Sequence, residues 1–258
     1  MYFNLELKYY KPYNNALRFT QLVDKSVLTN IYIKNLYKRQ KYFAGRNHFG
    51  RIVNFRQGGR RFKKKYLQTV FNLNSGPYLV FSINTNSIKS GLLCGLWDLV
   101  TKQFCYILSA SNVTVGNVIR SYSDRGPLFI GHQYKIENFP MGMPLFNINN
   151  IYIKAAGTFG IIRQFTTKYV HILLPSGQLL KVLLADTKVF FGNVSNAKHK
   201  FQVYGKAGRL RNKGRRPTVR GIAMNPVDHP HGGRTNGGKL PLTPWGKPAR
   251  GVLTRKKK

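Results

Sequence analysis

The residues best suited to chemistry stand together near the end of the chain. Asp228, His229 and His231, in NPVDHPHGG, join a carboxylate to two imidazoles, a set that can hold a metal or move protons. Pro230 restricts the two histidines and no third ligand stands at a usual spacing, so local structure or contact with RNA is the simpler role. Just beyond, Gly233 to Lys239 reads GRTNGGK, the opening of a nucleotide-binding P-loop. There Leu240 replaces the Ser or Thr that would hold magnesium, Pro241 opposes the required helix, and no apolar strand precedes Gly233. Nucleotide binding is therefore not expected. Cys94 and Cys105 lack the C-x-x-C spacing of a zinc or redox motif and read as buried thiols on strands, with a disulfide left open. His132 and His171 fall in or beside strand patterns and read as structural. With 7 acidic residues in the chain and none clustered, general-base and metal chemistry have few carboxylates to draw on. No enzyme, cofactor or metal is expected.

What the chain has in excess is positive charge. It carries 43 Lys and Arg against 7 Asp and Glu, a net +36, far beyond what solubility requires, so an acidic partner is implied. Phosphate backbone fits that partner best. A membrane-surface protein would set its charge on an amphipathic helix or beside an apolar anchor, and the sequence holds no 18-residue apolar run.

The charge is not spread evenly. Residues 1 to 33 hold four basic and two acidic groups with a weak helical hint between Leu17 and Leu28, and read as an extended arm. From Lys34 to Lys65 come twelve basic groups and no acid, interleaved with Tyr37, Tyr42, Phe43, His48, Phe49, Phe55 and Phe62. Cations there meet phosphates, aromatic planes stack on bases, and glycines let the backbone approach. Arg46, Arg51, Arg56, Arg60, Arg61, Lys63, Lys64 and Lys65 are the expected RNA contacts of this segment. Residues 206 to 258 hold 15 basic groups against Asp228 alone, set among Gly and Pro without hydrophobic periodicity. Such a segment packs no core of its own and needs a polyanion to set its path. Its expected contacts are Lys206, Arg209, Arg211, Arg215, Arg216, Arg220, Arg234, Lys239, Lys247, Arg250 and Arg255. Trp245, between Pro244 and Gly246, can stack on a base or anchor the tail on protein, and the sequence leaves both open.

Between these basic segments lies the body that must position them. Residues 66 to 205 carry short apolar runs, among them YLVFSI, GLLCGLW, FCYIL, GIIRQF, YVHILL and LLKVLL, separated by Gly, Asn, Ser or Pro. No stretch keeps helical periodicity over eleven residues, so the fold class is all-β, built of small barrels or sandwiches. The clearest hairpin is YVHILL-PSG-QLLKVLL, with Pro175 and Gly177 in its turn.

RPTVRGIAMNPVDHPHGG followed by LTPWGKPARGVLTRKKK resembles the C-terminal signature of the ribosomal protein L two family of the large subunit. The likeness recurs upstream in KYYKP, GRNHFGRI, RQGGRRFKKKY, AAGTFG, LPSGQLLKVLL and GKAGR, and covers nearly the whole chain. It implies an OB-fold barrel over about 66 to 145 and an SH3-like barrel over about 150 to 205. An N-terminal arm over 1 to 65 and a tail over 206 to 258 would flank them. A Gly-rich insert is missing before AAGTFG, and a GGGEGR segment is shortened to Gly232-Gly233-Arg234, which removes loop contacts but no strand.

The function implied by the resemblance is that of a structural constituent binding large-subunit rRNA and neighbouring ribosomal proteins. Contact with the small subunit and support of tRNA binding go with it, and Asp228, His229 and His231 would lie near the peptidyl transferase centre. The alternative is an RNA-processing enzyme or other non-ribosomal RNA binder with an OB-fold domain. Abundant Phe, Tyr, Ile, Asn and Lys suit AT-rich codons. With no presequence pattern at the N-terminus, the expected site is the mitochondrial ribosome, ahead of plastid or bacterial cytoplasm.

Overall fold

The computed structural model describes residues 5–29, 31–39, 43–58, 65–67, 69–123, 126–185, 187–234 and 240–249. Its strands are β1 (Leu7–Tyr9), β2 (Gln21–Val23), β3 (Tyr37–Arg39), β4 (Lys65–Leu67), β5 (Pro77–Asn84), β6 (Leu93–Asp98), β7 (Phe104–Leu108), β8 (Val118–Tyr122), β9 (Gln133–Lys135), β10 (Pro144–Phe146), β11 (Gly160–Phe165), β12 (Tyr169–Leu173), β13 (Leu179–Leu183) and β14 (Lys188–Phe191). Among the described residues, two short helices, α1 (Asn15–Arg18) and α2 (Ala207–Asn212), and a few 3-10 turns accompany the strands. The all-β class read from the sequence holds. Two compact units divide the chain, one of residues 1–42 and 62–206, the other of 43–61 and 207–258.

The first unit is built on one ten-stranded sheet, ordered β13-β12-β11-β10-β14-β9-β8-β5-β6-β7. Neighbours are antiparallel except β8 and β9, which run parallel from Ser121↔Gln133 to Tyr122↔Tyr134. Alternation explains the strands: along β12, Val170 and Ile172 are buried while Tyr169, His171 and Leu173 stay half-exposed, the period of a sheet with one face inward. The β12–β13 hairpin forms as expected, with Gly177 at φ +82° and Leu174 N–H donating to the Gln178 carbonyl. Between β5 and β6 the register slips after Val80↔Leu96 to Ser82↔Gly95, leaving Phe81 as the extra residue of a bulge. A Cβ on Gly95 would run into the side chains of Phe81 and Ser82, so only glycine lets the bulge form there.

The sheet encloses two hydrophobic cores. Tyr78, Val80, Ile83, Leu93, Leu96, Tyr106, Ile107 and Ile119 dominate the first, and Tyr134, Ile136, Phe139, Leu145, Ile162, Val170, Ile172 and Val189 the second. Strands β10 and β14 serve both. Leu145 and Val189 face the second core while their chain neighbours Phe146 and Phe190 face the first, because successive side chains leave opposite faces of a strand. The two cores therefore share strands, with Phe146, Phe190 and Val194 in the first and Tyr122 of β8 packed against the second. Cys94 and Cys105 are free, on β6 and β7, and burial raises their thiols to about 12 and about 11.

Within the extended arm expected over 1 to 65, residues 5–29 and 31–39 pack on the first unit. Leu5, Val23 and Leu28 are buried in the first core, and β1 pairs with β2 from Leu7↔Val23 to Tyr9↔Gln21. Ile83 N–H donates to Thr29 Oγ1 at 2.9 Å, Asn84 Nδ2 to the Ile31 carbonyl at 2.8 Å, and Ile33 N–H to Tyr106 Oη at 3.1 Å. These bonds use polar groups of the barrel strand itself, so the segment completes the barrel wall. Strand β3 pairs with β4, Arg39 opposite Lys65, so Lys65 opens a strand.

Candidate nucleic-acid interface

In the second unit, a loop presents arginines from a rigid frame. Asn47 Oδ1 accepts from the N–H groups of Phe49 and Arg51, at 3.1 and 2.9 Å, while Asn47 N–H donates to the Arg51 carbonyl. Asn54 Oδ1 likewise accepts from Arg56 N–H at 3.1 Å. The Gly45 carbonyl takes the N–H groups of Val53 and Asn54, and a Cβ on Gly45 would run into Asn54. With the backbone satisfied internally, Arg46, Arg51 and Arg56 are left exposed. Phe43, Phe49 and Phe55 are exposed too, Phe49 beside the His48 ring with centroids 3.8 Å apart.

That loop is joined to the C-terminal segment by backbone. Gly58 N–H donates to the Gly214 carbonyl at 3.1 Å and Arg216 N–H to the Arg56 carbonyl at 2.8 Å, around a bridge between Gln57 and Arg215. The geometry depends on how α2 stops. Gly214, at φ +85°, donates to the Arg211 carbonyl, and Arg215 donates to that of Leu210, the paired bonds of a Schellman cap. Arg211, Arg215, Arg216 and Arg220 are exposed, and Arg209 is half-buried. Two sequence segments about 150 residues apart thus bring arginines into one unit.

A second tie involves Trp245. Its ring stacks on Phe55, centroids 5.6 Å apart and 22° between planes, so it anchors protein to protein, with 55% of its surface still open. Trp245 sits in a tight turn closed by Gly246, at φ +76°, whose N–H donates to the Thr243 carbonyl, with Thr243 and Lys247 hydrogen-bonded across it. Lys247 is exposed at the edge of that turn.

The histidine motif is a packed turn. His229 is 8% exposed, and its ring lies over Gly221, where any Cβ would meet the imidazole. Its Nδ1 accepts His231 N–H at 3.0 Å, so the proton of a neutral His229 sits on Nε2. His231 Nε2 lies 2.9 Å from both the Leu240 carbonyl and Leu242 N, holding the following segment. Asp228 is exposed. Among the described residues no three His, Cys, Asp or Glu stand close enough to hold a metal.

Of the RNA contacts expected from the sequence, Arg46, Arg51, Arg56, Arg209, Arg211, Arg215, Arg216, Arg220, Arg234 and Lys247 fall in the second unit, and exposed Lys206 ends the first. Arg60, Arg61, Lys63, Lys64, Lys239, Arg250 and Arg255 lie outside the described residues, as does the side chain of Lys65. Asn47, Asn54 and Gly214, not among the residues expected from the sequence, carry no charge but hold the arginine-bearing backbone through their hydrogen bonds. Their signal was present, since Asn and Gly mark turns.

Comparison with known proteins fits this arrangement. The chain is 36% identical to the large ribosomal subunit protein uL2 of Orientia tsutsugamushi (strain Ikeda), over 98% of its own length and 96% of that protein. It is 37% identical to the uL2 of Wolbachia sp. subsp. Drosophila simulans (strain wRi), over 97% and 94%. The chain belongs to the uL2 family. A family model described as Ribosomal Proteins L2, C-terminal domain, matches residues 130–246, which run from just before β9 through the Trp245 turn. The uL2 fold, an OB-fold barrel followed by an SH3-like barrel, corresponds to the two cores. The uL2 match to the Orientia protein also takes in the N-terminal arginine loop, which the C-terminal family model leaves out.

Proposed function

We propose that the chain is a structural constituent of the large ribosomal subunit, binding rRNA and neighbouring ribosomal proteins. The observation that carries this is near full-length identity with uL2 proteins, a family of ribosomal structural proteins and not enzymes. The exposed arginines of the second unit supply the electrostatics: they stand with one acid, Asp228, in a chain of net charge +36, and release counterions when they meet phosphate. In this reading Arg46, Arg51, Arg56, Arg215, Arg216 and Arg220 neutralise rRNA phosphates, and the other basic residues of the two segments add to the same charge. Asp228, His229 and His231 lie toward the peptidyl transferase centre as shaped RNA-facing structure, and the chain also contacts the small subunit. Composition supports a mitochondrial ribosome, with 17 Phe and 15 Tyr among the residues that AT-rich codons favour, although the relatives named above are bacterial.

The test is the salt dependence of binding to large-subunit rRNA. Affinity should fall steeply from low to physiological salt, and Arg51→Gln and Arg216→Gln should each lower the logarithmic salt slope by about 1. An affinity flat in salt contradicts the electrostatic reading.

A further inference from the structure

A groove of about 730 Å³ opens on the first unit beside the junction of β8 and β9, and the described residues that line it include none of the basic residues singled out in the sequence. Its character is aromatic. Tyr122 and Phe129 flank His132, with ring centroids 5.7 and 5.4 Å from the imidazole, and Phe129 is 57% exposed. Exposed Arg120 stands on the same wall, and among the described residues no Asp or Glu lines the groove. Two wall residues also carry buried acceptors that lack a hydrogen-bond partner, Asn112 Oδ1 and His132 Nδ1. His132 Nε2 lies 3.0 Å from the Val118 carbonyl, which can only accept, so the ring proton sits on Nε2 and Nδ1 is a bare lone pair. Burial, with Arg120 nearby, lowers the pKa of His132 and favours this neutral form, the Val118 bond pulling the other way.

A ligand of this groove must offer a flat apolar face to the rings and negative charge to Arg120. A nucleotide meets both requirements, with a π-face and a phosphate. We propose that this groove takes one unstacked nucleotide of RNA, its base against Tyr122, Phe129 and His132 and its phosphate at Arg120. The proposal rests on the RNA-binding reading and adds to it a base-contacting site on the barrel, distinct from the phosphate-contacting arginines of the second unit. An apolar side chain of a protein partner would fill the volume, but would leave Arg120 without an anion.

The experiment uses the full chain and transcribed large-subunit rRNA from the same source, probed with dimethyl sulfate for A and C and with carbodiimide for U and G. Phe129→Ala removes an exposed ring, so an unchanged thermal melt is expected and verifies the fold. One nucleotide protected by the native chain should become reactive with Phe129→Ala, with affinity reduced about 10-fold, and stay protected with Phe129→Trp. Arg120→Gln should lower the salt slope by about 1. Identical protection and affinity for native chain and Phe129→Ala overturn the site while leaving the RNA-binding reading intact. Unchanged RNA protection together with loss of a neighbouring protein from assembled subunits overturns it in favour of a protein occupant. Failure of the native chain to bind this RNA overturns both readings.

Discussion

Single residues here act mainly by fixing what their neighbours can do. Lys89 shows it through charge: its Nζ donates to Thr69 Oγ1 at 2.9 Å, and burial, with Lys154 nearby, lowers its pKa from 10.5 to about 8. Because the folded value is the lower one, the unfolded chain holds more protons between about pH 8 and 10.5, and stability rises with pH across that window. Lys89→Met, which cannot titrate, should therefore be more stable than the native chain at pH 7, with the gap closing toward pH 10.5. Denaturant midpoints at the two values check this, and a gap that widens with pH contradicts it. Trp245 shows the same logic through packing. Trp245→Ala removes the stack on Phe55, worth about 1 kcal/mol beyond the area it buries, and should speed amide exchange at Gly58, whose partner Gly214 sits in the same unit. Unchanged exchange there would show the ring to be a bystander.

Elements explain why some of the architecture was legible and some was not. The strands of residues 66 to 205 announce themselves because burial on one face imposes a period of two, and the β12–β13 hairpin is legible down to Gly177. The sharing of strands between the cores is not, because it depends on the parallel β8–β9 pairing and on β10 and β14 facing both ways, which no local pattern records. Likewise the junction of residues 56–58 with 214–216 is made by backbone hydrogen bonds and a glycine-capped helix, features without hydrophobic periodicity. Arg120 is not marked by charge density, because it stands in β8, outside both basic segments. The junction gives a prediction. A chain ending at Lys206 should keep its barrels, whose cores lie wholly before that residue, yet lose exchange protection at Gly58. It should also bind rRNA more weakly than the loss of tail charge alone would predict, because Arg46, Arg51 and Arg56 lose the support of residues 214–216. Retained protection at Gly58 would mean that the loop stands alone.

At the scale of the whole molecule, the chain joins two kinds of material. Apolar β structure buries enough surface to fold, while the second unit carries charge that a polyanion must neutralise. The central claim is that this polyanion is large-subunit rRNA and that the protein's work is structural. The most direct measurement is quantitative mass spectrometry of large subunits purified through high-salt sucrose gradients from the native source, with the compartment of origin recorded. The account predicts this chain in those particles in the same amount as the other large-subunit proteins. Finding it instead in the ribosome-free fraction, acting on RNA in their absence, would contradict the account.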